Sequence, residues 1–251
     1  MIANLFHHDA NNIGDQMCGP AQYLWPDLAS HVAIGQEPPV SGKIIVGGGQ
    51  IYGQLASLSQ QLSFDQANGH PVVWGVGLPL KGRRDNLVRD TAKKFSLFGT
   101  RNYDWRDELD FTPCVSCMSP LFDQLPKPQH EVVIFAHRRK ASNIATPDGV
   151  PMLTNRGLPA KQVLEFIAKG ETVVTSSYHG VYWAQLLGRK VICVPYGEKF
   201  RTFQHLPTYA EPEDWQGIVR LASQTDPLLE QYRQLNLQFA KKVSKLWGLD
   251  E

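Results

Sequence analysis

The chain has 251 residues, of which 42% are hydrophobic and 20% are charged, and its formal net charge at pH 7 is +1. This composition is that of a folded globular protein and excludes an intrinsically disordered chain. The near-neutral charge argues against general binding of nucleic acid, because domains that bind nucleic acid are usually strongly basic.

Short apolar runs rich in β-branched residues recur along the chain, and each is followed by a turn and a helix-like stretch. Continuous apolar runs, rather than alternating ones, predict the strands of a parallel sheet that is covered on both faces. The predicted strands are residues 2–6, 44–46, 72–76, 95–98, 132–136, 172–175 and 191–194. The sequence therefore predicts an α/β protein that binds its ligands at the carboxyl ends of its strands.

A polar, proline-containing segment at residues 125–129 is typical of a linker. It divides the chain into an N-terminal domain, 1–125, and a smaller domain, 126–225. Residues 226–251 carry apolar side chains at spacings of three and four, which predicts an amphipathic helix that packs back across the cleft. Its basic residues offer a peripheral contact with the membrane, although a solvated helix face is the simpler interpretation; they are Lys241, Lys242 and Lys245.

The four cysteines are too few and too scattered for a disulfide framework; they are Cys18, Cys114, Cys117 and Cys193. Cys114 and Cys117 form a single CxxC pair without a second pair or an obvious histidine partner, so packed thiols are favoured over a zinc or redox site. The chain also begins without the features of a signal peptide, and its apolar runs are shorter than a membrane span. We therefore expect a cytoplasmic protein.

Polar residues follow the first predicted strand, before a helix-like run at 16–25. Free amide donors and the positive end of a helix dipole lie at such a position, and Gly14 permits an unusual backbone turn there. Asn12 and Asp15 complete this segment. Asp15 either caps the helix or faces the cleft as a general base.

Three glycines, Gly47, Gly48 and Gly49, end the second predicted strand. They allow backbone amides to approach an anion or a sugar closely, although a tight turn without a ligand is the alternative. The dinucleotide-binding fingerprint fails here because its third glycine would fall at Tyr52. Neither a nicotinamide-dependent enzyme nor a P-loop enzyme is predicted.

Basic residues follow the strand at 132–136, in the order His137, Arg138, Arg139 and Lys140. Arginine binds phosphate or carboxylate in a bidentate manner, so this run is either an anion site or a solvated group of charges.

The segment after the strand at 172–175 carries the strongest signal. The hydroxyls of Ser176 and Ser177 and the free amides of the helix that begins there can hold phosphate oxygens. His179, which Gly180 follows, can donate to a leaving phosphate or shuttle a proton. Neighbouring parallel strands should bring these residues close to the cations that follow the next strand; these are Lys199 and Arg201.

The order of these motifs resembles that of the polysaccharide pyruvyltransferase family, in particular its short exopolysaccharide members similar to succinoglycan pyruvyltransferase. The motifs are Asn-x-Gly-Asp at 12–15, Gly-Gly-Gly at 47–49, Ser-x-x-His-Gly at 176–180, and the sequence from Leu186 to Lys199. The segment Pro-Cys-Val-Ser-Cys-Met-Ser-Pro at 113–120 adds to the likeness. One position departs from the pattern, since the family commonly has arginine directly before the histidine and this chain has Tyr178.

The resemblance implies two Rossmann-like domains in a GT-B-like arrangement, with the donor held mainly by the second domain. It implies transfer of the enolpyruvyl group of phosphoenolpyruvate to a sugar of a lipid-linked polysaccharide precursor, with release of phosphate and formation of a pyruvyl ketal. No cofactor and no metal are implied. His179, Arg138 or Arg139, and Lys199 match the family's donor-side motifs, whereas Asn12, Gly14 and Asp15 match its amino-terminal motif.

The resulting hypothesis assigns three groups of residues. The catalytic residues are His179 and Asp15; the donor-binding residues are His137, Arg138, Arg139, Ser176, Ser177, Gly180, Lys199 and Arg201; the acceptor-binding residues are Asn12, Gly14, Gly47, Gly48 and Gly49. Two alternatives remain, a GT-B glycosyltransferase with a nucleotide-sugar donor and a non-catalytic carbohydrate-binding subunit, because the fold does not decide between them.

Overall fold

Two parallel β-sheets follow one another along the chain in this computed structural model, which describes residues 1–6, 11–34, 42–61, 70–138 and 144–249. Within these ranges the first sheet contains β1 (Ile2–Phe6), β2 (Ala29–Ala33), β3 (Lys43–Gly49), β4 (Val72–Val76), β5 (Leu97–Thr100) and β6 (Asp110–Phe111). The spatial order is β2-β1-β3-β4-β5-β6, and each neighbouring pair is parallel.

The second sheet is built in the same way from the later part of the chain. Its strands are β7 (His130–Ala136), β8 (Met152–Thr154), β9 (Gly170–Thr175), β10 (Lys190–Cys193) and β11 (Thr208–Tyr209). They lie in the order β11-β10-β9-β7-β8, again with parallel neighbours. The α/β class predicted from the sequence is confirmed.

Helices connect these strands. The α-helices of the described ranges are α1 (Ile13–Gln16), α2 (Ala21–Leu24), α3 (Tyr52–Gln61), α4 (Asp85–Ala92), α5 (Ala160–Ala168), α6 (Tyr178–Leu186) and α7 (Leu229–Trp247). Shorter 3-10 turns lie at Pro26–Leu28, Tyr103–Trp105, Val115–Met118, Pro120–Gln124, Glu198–Arg201 and Trp215–Leu221. The helix-like run predicted at 16–25 contains only α2, because α1 begins earlier, at Ile13, and ends at Gln16. Pro20 stands directly before α2.

All seven predicted strands are present, but the sequence missed β2, β6, β8 and β11. The side chains of these four strands are only partly buried or exposed, so they lack the continuous apolar run by which the central strands were recognised.

The C-terminal helix α7 returns to the first sheet. The indole N–H of Trp74, on β4, donates to Asn236 Oδ1 at 2.8 Å, and the ring of Trp74 meets Phe239 edge to face at 4.7 Å. Two Rossmann-like units with a terminal helix that packs back on the first form a GT-B-like arrangement. No helix in the described part of the chain is both long enough and apolar enough to cross a membrane.

Both sheets contain a point where the strand order reverses. The chain passes from β1 to β2 on one side and then to β3 on the other, and β7 likewise lies between β8 and β9. Open α/β sheets bind ligands in the crevice outside the carboxyl ends of the strands at such a point. We therefore expect a ligand to bind at the residues that directly follow these strands.

Candidate functional site

A polar cavity of about 60 Å³ lies where residues from the carboxyl ends of both sheets meet. A single water needs roughly 10–15 Å³ of such space, so the cavity has room for several waters or one small ligand. Its lining from the first half of the chain is Asn12, Asp15, Gln50 and Arg101, and from the second half it is His137, Asn155, Ser177, Tyr178, His179 and Lys199.

Six residues of the sequence hypothesis line this cavity. They come from segments after β1, β7, β9 and β10, which are distant in sequence and adjacent in space. The six are Asn12, Asp15, His137, Ser177, His179 and Lys199.

The other donor-side residues that the structure describes lie outside the lining of the cavity. The backbone N–H of Arg138 donates to Asn155 Oδ1 at 2.8 Å and its guanidinium donates to the carbonyl of Asn11 at 3.3 Å, so Arg138 joins the two halves beside the cavity. Ser176 Oγ accepts the backbone N–H of His137 at 3.0 Å. Arg201 is exposed and outside the lining, whereas Arg139 lies outside the described residues.

Several of the predicted glycines permit close packing of the chain. A Cβ on Gly47 would lie 2.0 Å from the carbonyl oxygen of Trp74, and one on Gly48 would lie 3.0 Å from that of Cys18. A Cβ on Gly180 would lie 2.1 Å from Thr175 Oγ1. Gly49 lies beside a lining residue of the cavity, because its Cβ position is 3.8 Å from Asp15 Oδ1.

Gly14 determines where the imidazole of His179 can lie. A Cβ at residue 14 would meet His179 Nδ1 at 2.2 Å, so the ring packs directly against the backbone of α1. Any larger residue here would displace the histidine.

The orientation of Asp15 follows from a chain of side-chain amides. Asn155 Nδ2 donates to Asn12 Oδ1 at 3.0 Å, and Asn12 Nδ2 donates to Asp15 Oδ2 at 2.6 Å. Asp15 therefore lies within the first turn of α1 and does not cap it; Asn12 occupies the cap position. Sequence reasoning missed Asn155, which follows the unrecognised strand β8.

Sequence reasoning also missed Arg101, which follows β5. Its guanidinium lies 3.8 Å from the centre of the Tyr178 ring, and its Nη2 donates to Gln50 Oε1 at 3.3 Å. The side chain is 4% exposed, and its Nε and Nη1 have no hydrogen-bond partner among the described residues. Arg101 thus places a guanidinium beside Tyr178, the position at which the pyruvyltransferase family commonly has arginine. The signal was an arginine directly after a strand.

Lys199 is the second cation of the cavity. Its ammonium group donates to Tyr196 Oη at 2.8 Å and lies 4.7 Å from the centre of that ring. Burial lowers the pKa of Lys199 to about 8, with the positive charge of Arg101 acting in the same direction and Asp15 opposing both. The lysine is therefore charged at neutral pH and loses its charge under mildly alkaline conditions.

A buried triad of Cys18, Cys114 and His179 lies beside the cavity. His179 Nε2 is 3.5 Å from each sulfur, and the two sulfurs are 3.5 Å apart. Each cysteine is 1% exposed and the histidine is 7% exposed. The hydrogen bond with Cys18, and then that with His179, lowers the pKa of Cys114, whereas the bond with Cys114 and burial raise the pKa of Cys18.

Cys117, the other member of the CxxC pair, is not part of this triad; it accepts a hydrogen bond from Asn236 Nδ2 at 3.4 Å. The partners of Cys114 instead lie 96 and 65 residues away along the chain. His179 Nε2 faces the sulfurs, while Nδ1 makes no hydrogen bond within the described part of the chain.

The chain matches no protein-family model, and no curated protein is significantly similar to it. Similar solved structures include a functionally uncharacterised protein from Klebsiella pneumoniae, at 16% identity and a TM-score of 0.46, with 78% of this chain and 83% of that chain covered. Another is assigned as a UDP-N-acetylglucosamine 2-epimerase from Listeria monocytogenes, at 8% identity, a TM-score of 0.45, and 94% and 89% coverage. A third is the wall teichoic acid polymerase TagF, at 11% identity, a TM-score of 0.48, and 98% and 83% coverage. At these values the similarities carry no argument about the chemistry of this chain.

Proposed function

We propose that the protein is a pyruvyltransferase that transfers the enolpyruvyl group of phosphoenolpyruvate to a sugar as a ketal and releases phosphate. The order of sequence motifs suggests this reaction, and the chemistry of the cavity supports a small anionic donor. The acceptor class is a sugar of a lipid-linked polysaccharide precursor.

The observation that carries the proposal is the buried guanidinium of Arg101. Burial of a charge without a counterion is unfavourable, and two of the guanidinium nitrogens of Arg101, Nε and Nη1, lack partners in the described chain. A phosphate or carboxylate in the adjacent cavity would neutralise this charge and provide the fork-shaped hydrogen bonding that arginine favours. Lys199 adds a second positive charge to the same cavity.

The N-terminus of α6 supplies further donors. The first amides of a helix have no acceptor within it, and the positive end of the helix dipole lies there. Ser177 is the cap residue of α6, and the next two residues also line the cavity. Phosphate at this position would gain amide hydrogen bonds as well as the two side-chain cations.

The cavity, of about 60 Å³, has room for a small anion such as phosphoenolpyruvate. The assay described below sets this donor against a nucleotide sugar.

Each group has a distinct role in the proposed reaction. Arg101 and the α6 amides hold the donor; Lys199, whose pKa is about 8, protonates its methylene carbon, which makes C2 electrophilic. Asp15 accepts the proton of a sugar hydroxyl as that oxygen bonds to C2. The C2–O bond to phosphate then breaks, with His179 Nδ1 donating a hydrogen bond to the departing phosphate. A second hydroxyl of the same sugar closes the ketal as its proton passes to that phosphate.

The test measures phosphate release from phosphoenolpyruvate in the presence of lipid-linked and free sugar acceptors, with nucleotide sugars as competing donors. Release of phosphate together with a pyruvylated sugar detected by mass spectrometry supports the proposal. Turnover of a nucleotide sugar without use of phosphoenolpyruvate would replace it with glycosyl transfer. Binding of sugar without turnover of either donor would instead indicate a carbohydrate-binding subunit.

A further inference from the structure

We propose that Cys18, Cys114 and His179 form a binding site for a divalent transition-metal ion, with zinc as the preferred ion. The three ligand atoms are the two cysteine sulfurs and His179 Nε2. The proposal does not depend on the identity of the reaction at the neighbouring cavity.

The geometry of the triad matches the spacing that a tetrahedral zinc ion requires. Each pair of ligand atoms is 3.5 Å apart. At Zn–S and Zn–N distances of about 2.3 and 2.0–2.1 Å, two ligands of a tetrahedral ion lie roughly 3.5–3.8 Å apart. The point equidistant from all three atoms is about 2.0 Å from each, so an ion at these bond lengths sits slightly out of their plane.

The donor set and its burial also favour zinc. Thiolates and imidazole are ligands that suit zinc and disfavour magnesium and calcium, which prefer oxygen. The triad is almost wholly shielded from solvent, and its members come from three segments of the chain: the segment after α1, the segment after β6 and α6. Such an ion would therefore join the two halves of the protein.

The coordination sphere would retain an open position. Within the described residues no fourth cysteine, histidine, aspartate or glutamate belongs to the cluster. Three protein ligands with one position left for water or substrate are typical of catalytic rather than structural zinc sites. Since His179 also lines the cavity, coordination at Nε2 would fix its protonated nitrogen as Nδ1 and so hold its hydrogen-bond donor toward a ligand.

The experiment compares metal uptake by the full-length protein and two kinds of cysteine variant. Reduced protein is stripped with a chelator, titrated with zinc or cobalt, passed through a desalting column and analysed by inductively coupled plasma mass spectrometry. We expect wild type and Cys117→Ser to retain about one ion per chain, and Cys18→Ser and Cys114→Ser to retain less than about a tenth of that amount. Cobalt should give thiolate charge-transfer and tetrahedral d–d absorption only in the first two proteins.

Cys117 is a matched control, because it is as buried as the ligands and belongs to the same CxxC pair as Cys114. A second measurement uses only the wild type, so that it does not depend on how the variants fold. Zinc should slow the alkylation of Cys18 and Cys114 at least about tenfold, because bound thiolates react slowly. The alkylation rates of Cys117 and Cys193 should not change. Equal uptake by Cys18→Ser and Cys117→Ser would overturn the site. So would reduced wild type that binds no metal and instead forms a Cys18–Cys114 disulfide in air.

Discussion

Two arginines of the first half of the chain, Arg89 and Arg101, differ sharply in their surroundings. Arg89 is on the surface and makes a bidentate pair with Glu108, at 2.6 and 3.0 Å, and Lys81 joins the same carboxylate at 2.8 Å. Arg101 is buried and forms no ion pair with any described residue; its neighbours are an amide and an aromatic ring. Among the described residues, Arg89 is paired with a carboxylate, whereas Arg101 is not.

The difference separates a structural role from a binding role. The surface cluster is complete without a ligand, and exposed pairs of this kind contribute little to stability and are screened by salt. A buried guanidinium without a counterion carries a desolvation cost that an anion in the cavity would offset. We therefore expect the donor to bind beside Arg101 and not at the surface group of Arg89, Lys81 and Glu108.

The largest expected effect comes from Arg101→Met, with Arg89→Met as the matched control. Loss of a fixed donor to transition-state charge typically lowers turnover by about 10²–10³-fold, so kcat/KM for phosphoenolpyruvate should fall by that amount in the first variant. Arg89→Met should retain the wild-type value. Similar losses of kcat/KM in both variants would show that Arg101 and Arg89 do not differ in their role.

Thermal unfolding with and without donor gives a second test of the role of Arg101. At about 100 times its Kd the donor should stabilise the wild type by about 2.7 kcal/mol, a rise in Tm of roughly 5–10 °C. Arg101→Met should show no such rise, yet its ligand-free Tm should not fall, because the variant removes an unpaired buried charge. A lower ligand-free Tm would indicate that Arg101 serves the fold.

A smaller effect is expected from pH at Lys199. Its pKa, lowered to about 8, means that the ammonium form that donates the proton dominates below this pH and is lost above it. The kcat should therefore fall as pH increases through 8, by about tenfold per unit well above the pKa. Lys199→Arg keeps its charge but does not release its proton, so it should lower kcat by about 10²-fold and flatten the profile, whereas Lys81→Met should leave the profile unchanged. A profile that Lys199→Arg does not alter would assign the titration to another group.

The smallest effect is expected at the surface cluster. Hydrogen bonds from Arg89 and Lys81 lower the pKa of Glu108 to about 2. A lowered carboxyl pKa means that this contribution is complete above the unfolded pKa, about 4.3, and disappears as pH falls toward 2. The urea midpoint of Glu108→Gln should lie slightly below that of the wild type at pH 7 and approach it in acid. High salt should shrink the difference at pH 7; a difference that grows in acid would contradict this assignment.

Part of the site was predictable because a local pattern marks it. A continuous apolar run predicts a buried parallel strand, and the residues directly after it lie at the carboxyl edge of the sheet. This reasoning identified Asp15, His179 and Lys199, all of which line the cavity. It failed at Asn155, because β8 is short and only partly buried and so has no such run.

The sequence by itself determined the α/β class, the central strands, the amphipathic terminal helix and several groups that line the cavity, because each depends on a pattern within a few neighbouring residues. Only the tertiary structure placed Arg101 against Tyr178, and Cys18 within reach of Cys114 and His179, 96 and 161 residues further along the chain. Those contacts depend on the order of the strands and on how the ends of the two sheets meet. Local periodicity contains no information about either, because it is set by the repeat of one helix or strand at a time.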